Sequence, residues 1–172
     1  MTTDFSSPIG GDAHSLALAM GGIHGDHISQ IAHLRDEAGG SLNSVSRTLV
    51  GMLHDRGTIN VVDKDRLIAI LDVWRHVVDP FARLQTIEAI HQKAAEDGAS
   101  TPAALGISSV AVESARRLVP PTIFFSEKAV YLSGEADLFG AIYGTLVLPG
   151  PGTLTGIVAS SVATESVLLF LP

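Results

Sequence analysis

The sequence predicts an α+β fold, in which a helical body of about five helices precedes a small, mostly antiparallel β-sheet. Apolar residues recur at helical spacing through residues 12–119, and the adjacent prolines Pro120 and Pro121 end that pattern. The rest of the chain is apolar, almost uncharged and interrupted by a Pro/Gly turn. We therefore divide the chain into an extended arm (1–11), a helical region (12–119) and a β-rich region (120–172).

Capping signals divide the helical region into segments. Ser41, Asp79 and Thr101 are residue types that favour a helix N-cap, and the last two precede prolines suited to a first helical turn. Between residues 63 and 78 an apolar stripe repeats at helical spacing and places Trp74 in the core. These signals predict helices that pack through one apolar face each.

Turn residues separate the segments that follow. Gly106 predicts that a short turn after Thr101 ends before a last helix over residues 108–118. Beyond Pro121, short apolar segments alternate with turn residues, a pattern typical of strands. The predicted strands and apolar run are 122–125, 129–132, 138–148, 153–159 and 166–171.

Composition limits the classes of function. The chain has 172 residues, a formal net charge of −7, no cysteine, and basic residues that do not cluster. These features exclude a disulfide scaffold and a cysteine nucleophile, and they argue against nucleic-acid binding. Residues 1–11 lack a basic segment followed by an apolar one, so we expect no secretory signal peptide and a virion or cytoplasmic location.

One long stretch of the sequence has no charge. Residues 138–164 contain no charged side chain, and the turn at 149–152 divides them into arms too short for a membrane-spanning helix. Uncharged strands left open would pair with other chains, so we expect them to be covered by a homo-oligomer or by other assembly subunits. The expected interface residues are Leu146, Leu148, Leu154, Ile157, Val158, Leu168 and Phe170.

The same stretch carries a motif. Residues 150–158 read GPGTLTGIV, and a second apolar segment follows from Ser166. This motif resembles a segment of small β-sandwich proteins from tailed phages and prophages. The resemblance implies a non-enzymatic structural protein of the virion, such as a head decoration, fibre or adaptor subunit, with no cofactor.

Two other functions stay open. His24, His27 and His33 form the one cluster with the ligand chemistry of a zinc, iron or manganese site, which would make the chain a small metal-dependent enzyme or a metal-binding protein. Alternatively, the helices over residues 63–97 would present a groove to a partner, as in an adaptor. No Gly-x-Ser-x-Gly elbow, phosphate-binding loop or dinucleotide motif occurs, so the sequence identifies no catalytic residue and leans against an enzyme.

Overall fold

The computed structural model describes residue 33, residues 41–119 and residues 127–147, in the last range with side chains from 134 to 146. The two longer ranges fold into five helices. They are α1 (Leu42–Asp55), α2 (Val61–His76), α3 (Pro80–Glu96), α4 (Pro102–Arg117) and α5 (Glu127–Val147).

Side-chain caps begin the first four helices. Ser41 Oγ accepts a hydrogen bond from the Ser44 amide at 3.1 Å, and Asn60 Oδ1 accepts one from the Asp63 amide at 2.9 Å. Asp79 and Thr101 cap α3 and α4 in the same way, and each is followed by a proline at the first helical position. The caps predicted at Ser41, Asp79 and Thr101 are confirmed, because capping depends on chemistry within a few residues of the helix start.

The helices pack in pairs around one apolar core. α2 packs against α1, α3 and α4, while α5 packs against α1 and α4. Trp74 of α2 lies at the centre with no exposed surface, as the sequence predicts. The largest side chains around it that are almost fully buried are Leu49, Leu53, Leu67, Ile70, Ile87, Ile107, Leu138, Phe139, Ile142 and Tyr143.

Helix α5 is buried on all of its sides between residues 134 and 146. Every residue from 134 to 146 is buried except Asp137, which is half-buried. The rings of Phe139 and Tyr143 are stacked with their centroids 5.9 Å apart. A helix enclosed in this way has no polar face, so its sequence shows no 3.6-residue alternation of apolar and polar side chains.

The predicted α+β fold is therefore wrong for the part of the chain that the structure describes, which is helical and contains no strand. Residues 129–132 and residues 138–147, both predicted as β, lie within α5, and Leu148 lies outside the described residues. A short apolar run cannot be assigned to strand or buried helix by periodicity, and residues 134–146 of α5 are buried on all sides, so their pattern does not distinguish the two. The other predicted strands, 122–125, 153–159 and 166–171, lie outside the described residues.

Two smaller predictions also fail. α4 continues through Gly106, so no turn separates Thr101 from the last helix of the helical region. The apolar stripe of α2 ends at Trp74, because α2 stops at His76 and the chain turns; Val78 is 83% exposed.

Candidate functional site

The start of α2 is joined to the start of α4 by buried polar contacts. The Asp63 side chain has no exposed surface, and its Oδ2 accepts hydrogen bonds from the backbone amide and the hydroxyl of Thr101 at 2.9 and 2.8 Å. Asn60 Nδ2 donates to the Ala99 carbonyl at 2.8 Å. Side chains of α2 thereby fix the α3–α4 loop and align the two N-termini.

Arg66 extends this junction toward solvent. Its Nη1 donates to Ser100 Oγ at 2.6 Å, and its Nη2 forms an ion pair with Asp97 Oδ2. The hydrogen bond from Arg66, followed by the one from the Ala99 amide, lowers the pKa of Asp97 below its ordinary value. Both contacts hold the α3–α4 loop against α2, which is a structural task.

A second polar arrangement holds the turn between α2 and α3, which we call the α2–α3 corner (residues 75–81). The buried guanidinium of Arg83 donates to the Val77 carbonyl from Nε at 3.0 Å and from Nη2 at 2.7 Å. Its Cζ lies 4.9 Å from the centroid of the Trp74 ring, a cation–π distance. The corner therefore rests on a buried arginine that stacks on the central tryptophan.

The α2–α3 corner exposes both apolar and charged side chains. Val78 is 83% exposed and Phe81 is 53% exposed, and the intervening Asp79 is also exposed. Arg75 and His76, at the C-terminal end of α2, are exposed on the same corner. Two exposed apolar side chains thus occur among exposed charged and titratable residues in this short turn.

The most enzyme-like contact joins a serine and a histidine. His91 Nδ1 lies 2.7 Å from Ser108 Oγ, and the Ser108 hydroxyl donates to the Leu105 carbonyl at 3.1 Å. The tautomer of His91 determines whether Nδ1 accepts the hydroxyl proton or donates to Oγ, so the distance alone does not make His91 a general base. Ser108 is also only 4% exposed, so the pair fits a link between α3 and α4 better than a nucleophile.

The predicted metal cluster is only partly within the described residues. His33 has a helical backbone and an exposed side chain, whereas His24 and His27 lie outside the described residues. Over residues 41–119 and 127–147, with His33, no three histidine, aspartate or glutamate side chains are grouped as metal ligands. The metal site at His24, His27 and His33 stays a prediction.

The structure likewise describes only one residue of the predicted interface, Leu146. Leu146 is 8% exposed and lies near the end of α5, where its carbonyl accepts a hydrogen bond from Arg56 Nη1 at 3.3 Å. Leu148, Leu154, Ile157, Val158, Leu168 and Phe170 lie outside the described residues. Leu146 contributes to the core of the subunit, and the assignment of the other six to an interface stays a prediction.

Sequence reasoning missed Arg83 and the corner it supports. From the sequence alone an arginine is expected to be solvated, since arginine is almost never fully buried unless it is paired. The sequence did carry one signal for the turn. Asp79 and Pro80 are an N-cap residue and a proline at the first helical position of α3, so α2 has to end before them and its apolar stripe cannot continue to Val78.

Comparison with known proteins adds no further assignment: no family model matches the chain, and no curated protein or solved structure does so significantly. Among the helices of residues 41–119 and 127–147, none combines the length and apolarity needed to cross a bilayer.

Proposed function

We propose that this chain is a non-enzymatic assembly subunit, in which a helical body carries an uncharged C-terminal segment that associates with other copies. The observation that carries the proposal is the composition of residues 148–172, where Glu165 is the single charged side chain. Apolar segments of this length are seldom left in water, because large exposed apolar patches promote association.

The arrangement of the helical body supports this role. Asp63, Arg66 and Arg83, three charged residues drawn into helix junctions, each bind the backbone or a side chain of a neighbouring loop. Their contacts hold loops and helix ends in place, as expected of a rigid scaffold. The described part of the uncharged run, within α5, is buried by the subunit's own helices, which leaves residues 148–172 as the segment to be covered.

The phage-type setting is a narrower proposal. It rests on the resemblance of residues 150–158 to a virion β-sandwich motif, and those residues lie outside the described part of the chain. The helical body supports an assembly role without specifying a virion.

Sedimentation velocity of the full chain over a wide range of concentrations tests the proposal. We expect the wild-type protein to form an oligomer, and Ile157→Asp or Leu168→Asp to shift it toward the monomer, since a buried unpaired charge is strongly unfavourable. Ser160→Asp introduces the same charge at a polar position and is the matched control, with circular dichroism to show that each variant remains helical. A wild-type chain that is monomeric at all concentrations would overturn the proposal.

A further inference from the structure

We infer that Asp97 is a site of spontaneous isoaspartate formation and that the Arg66 guanidinium slows this modification in the folded protein. The inference is independent of the proposed function. Its first observation is the sequence Asp97-Gly98, the one place in the chain where glycine follows aspartate. Both residues are exposed in the α3–α4 loop, so water reaches the bond between them.

The reaction needs neither an enzyme nor a cofactor. The amide nitrogen of Gly98 attacks Cγ of Asp97, a C–N bond forms, and the carboxyl hydroxyl leaves as water with the amide proton. Water then opens the succinimide ring at one of its two carbonyls. Opening at the side-chain carbonyl restores aspartate, whereas opening at the main-chain carbonyl breaks the original peptide bond and leads the chain through Cγ. Glycine favours the attack because no β-carbon shields its amide nitrogen.

The folded backbone keeps the reacting atoms apart. Asp97 ends α3 with φ −77° and ψ −9°, and its amide donates to the Lys93 carbonyl. At this ψ the Gly98 nitrogen nearly eclipses the Asp97 nitrogen, so Cβ lies roughly a third of a turn away about the Cα–C bond. A nearly planar five-membered ring requires Cβ and the Gly98 nitrogen to eclipse each other. Asp97 must therefore leave its helical conformation before the ring can close.

The carboxylate is also held at both of its oxygens. Oδ2 forms the ion pair with Arg66, whose side chain is only 16% exposed, and Oδ1 accepts from the Ala99 amide at 2.9 Å. The guanidinium is itself fixed by its hydrogen bond to Ser100 Oγ. Turning Cγ onto the Gly98 nitrogen breaks the contacts of the carboxylate, and the free energy that they contribute is added to the barrier.

The charge of Arg66 acts in the same direction. The neutral carboxylic acid is the reactive form, because a carboxylate is a poor electrophile and its oxygen leaves as water only after protonation. The hydrogen bond from Arg66 is the largest cause of the lowered pKa of Asp97. Less of the reactive acid is therefore present than in a chain without Arg66.

Isoaspartate at this position would disturb the junction between α2 and the α3–α4 loop. The main chain gains one carbon between residues 97 and 98, and the free carboxylate moves from the side chain to Cα. The acceptor for Arg66 and for the Ala99 amide is then displaced. We expect the modified chain to hold this loop less firmly.

Incubation of the full-length protein in warm, mildly acidic buffer tests the inference, with peptide mapping by electron-transfer fragmentation. Fragmentation is needed because isoaspartate and aspartate have the same mass. We expect the urea-unfolded wild type to form isoaspartate faster at Asp97 than at any other aspartate, and the folded wild type to do so several-fold more slowly. Equal rates in the two states would overturn the protection, and a faster reaction at another aspartate would overturn the choice of site.

Variants identify the role of Arg66. Arg66→Gln should accelerate the reaction several-fold in the folded protein, and Arg66→Lys, which keeps the charge, should restore part of the protection. Ser100→Ala removes the neighbouring hydrogen bond but leaves the ion pair, so its rate should stay closer to that of the wild type.

Arg75→Gln is the matched control, because it removes an exposed arginine elsewhere on α2, and its rate should equal that of the wild type. Circular dichroism shows that each variant remains helical. An Arg66→Gln protein that reacts no faster than the Arg75→Gln protein would overturn the role of Arg66.

Discussion

The indole ring of Trp74 in α2 packs directly on the backbone of Gly134 in α5. A β-carbon added at Gly134 would lie 2.6 Å from Cζ3 of the ring and closer still to Cη2. The ring cannot easily move away, because it is fully buried and the Arg83 guanidinium covers one part of it. The absence of a side chain at Gly134 therefore provides the space that the Trp74 ring fills.

Gly134→Ala is expected to lower the free energy of unfolding by up to about 2 kcal/mol. Overpacking a dense core by one methyl group destabilises by about 1–3 kcal/mol, and the better helix propensity of alanine offsets about 1 kcal/mol of this. Urea unfolding followed by circular dichroism measures the change.

Gly106→Ala is the control for that experiment. Gly106 lies within α4, and a β-carbon there would meet no other atom within 4 Å. Alanine should therefore stabilise the protein by about 0.5–1 kcal/mol, since it only reduces the freedom of the unfolded chain. Equal stabilisation at Gly106 and Gly134 would show that the Trp74 ring gives way and that the close contact has no energetic importance.

Thr101→Ala is expected to destabilise the protein by about 2–3 kcal/mol, because Thr101 has two roles. Its hydroxyl accepts from the Ala104 amide as the cap of α4, and it donates to the buried carboxylate of Asp63. Loss of a cap lowers stability by about 0.5–2 kcal/mol, and a buried carboxylate that loses a donor adds about 1–3 kcal/mol. Thermal and urea unfolding measure the sum.

Thr86→Ala provides the comparison for Thr101. The Thr86 hydroxyl also donates a hydrogen bond, at 2.7 Å to the Ala82 carbonyl, but on the exposed face of α3. Because water replaces that bond and alanine favours the helix, Thr86→Ala should be neutral or slightly stabilising. A similar loss at both threonines would contradict the role assigned to Asp63.

The sequence is informative where the determining chemistry is local. The caps at Ser41, Asp79 and Thr101 depend on a side chain and an amide a few residues away, and each is found where the sequence predicts it. The position of Trp74 in the core follows in the same way from the periodicity of α2. Local chemistry therefore accounts for most of the helices from residue 41 to residue 119.

The sequence is uninformative where burial is complete or where distant residues decide. α5 has no polar face from 134 to 146, so its apolar residues resemble a strand as much as a helix. Arg83 is buried where the Trp74 ring and the Val77 carbonyl come together between α2 and α3. The turn itself has a local signal at Asp79 and Pro80, but the support that Arg83 gives it depends on the packing of the two helices and could not be derived from the sequence.

The stability of the protein should depend on pH through Asp97 in acid. Hydrogen bonds from Arg66 and the Ala99 amide lower the pKa of Asp97 below 3.8 in the folded state. The unfolded state therefore takes up a proton first, so this contribution is complete above the ordinary pKa and declines as the pH falls through the lower folded value. Urea unfolding at a series of acidic pH values measures the slope.

Two variants identify the source of the acid dependence. Asp97→Asn removes the titrating group, and Arg66→Gln removes the first donor that lowers its pKa. Each variant should reduce the slope of the free energy of unfolding against pH in acid. The two substitutions together should reduce that slope no further than Asp97→Asn alone. An unchanged slope in Asp97→Asn would show that other carboxylates carry the dependence.

Tyr143 should produce the opposite dependence in alkali. Its burial in α5 raises the pKa of the phenol from 10.0 to about 12, because the charged phenolate is disfavoured away from water. The unfolded chain then loses its proton near pH 10 while the folded chain retains it, so stability falls as the pH rises from 10 toward 12.

Since the chain has two tyrosines, a Tyr131→Phe background leaves Tyr143 as the one phenol whose ultraviolet absorbance reports ionisation. In that background the phenolate should form with an apparent pKa near 12, and adding Tyr143→Phe should remove the phenol's share of the alkaline loss of stability. Titration near pH 10 in a chain that is still helical by circular dichroism would contradict the burial of this ring.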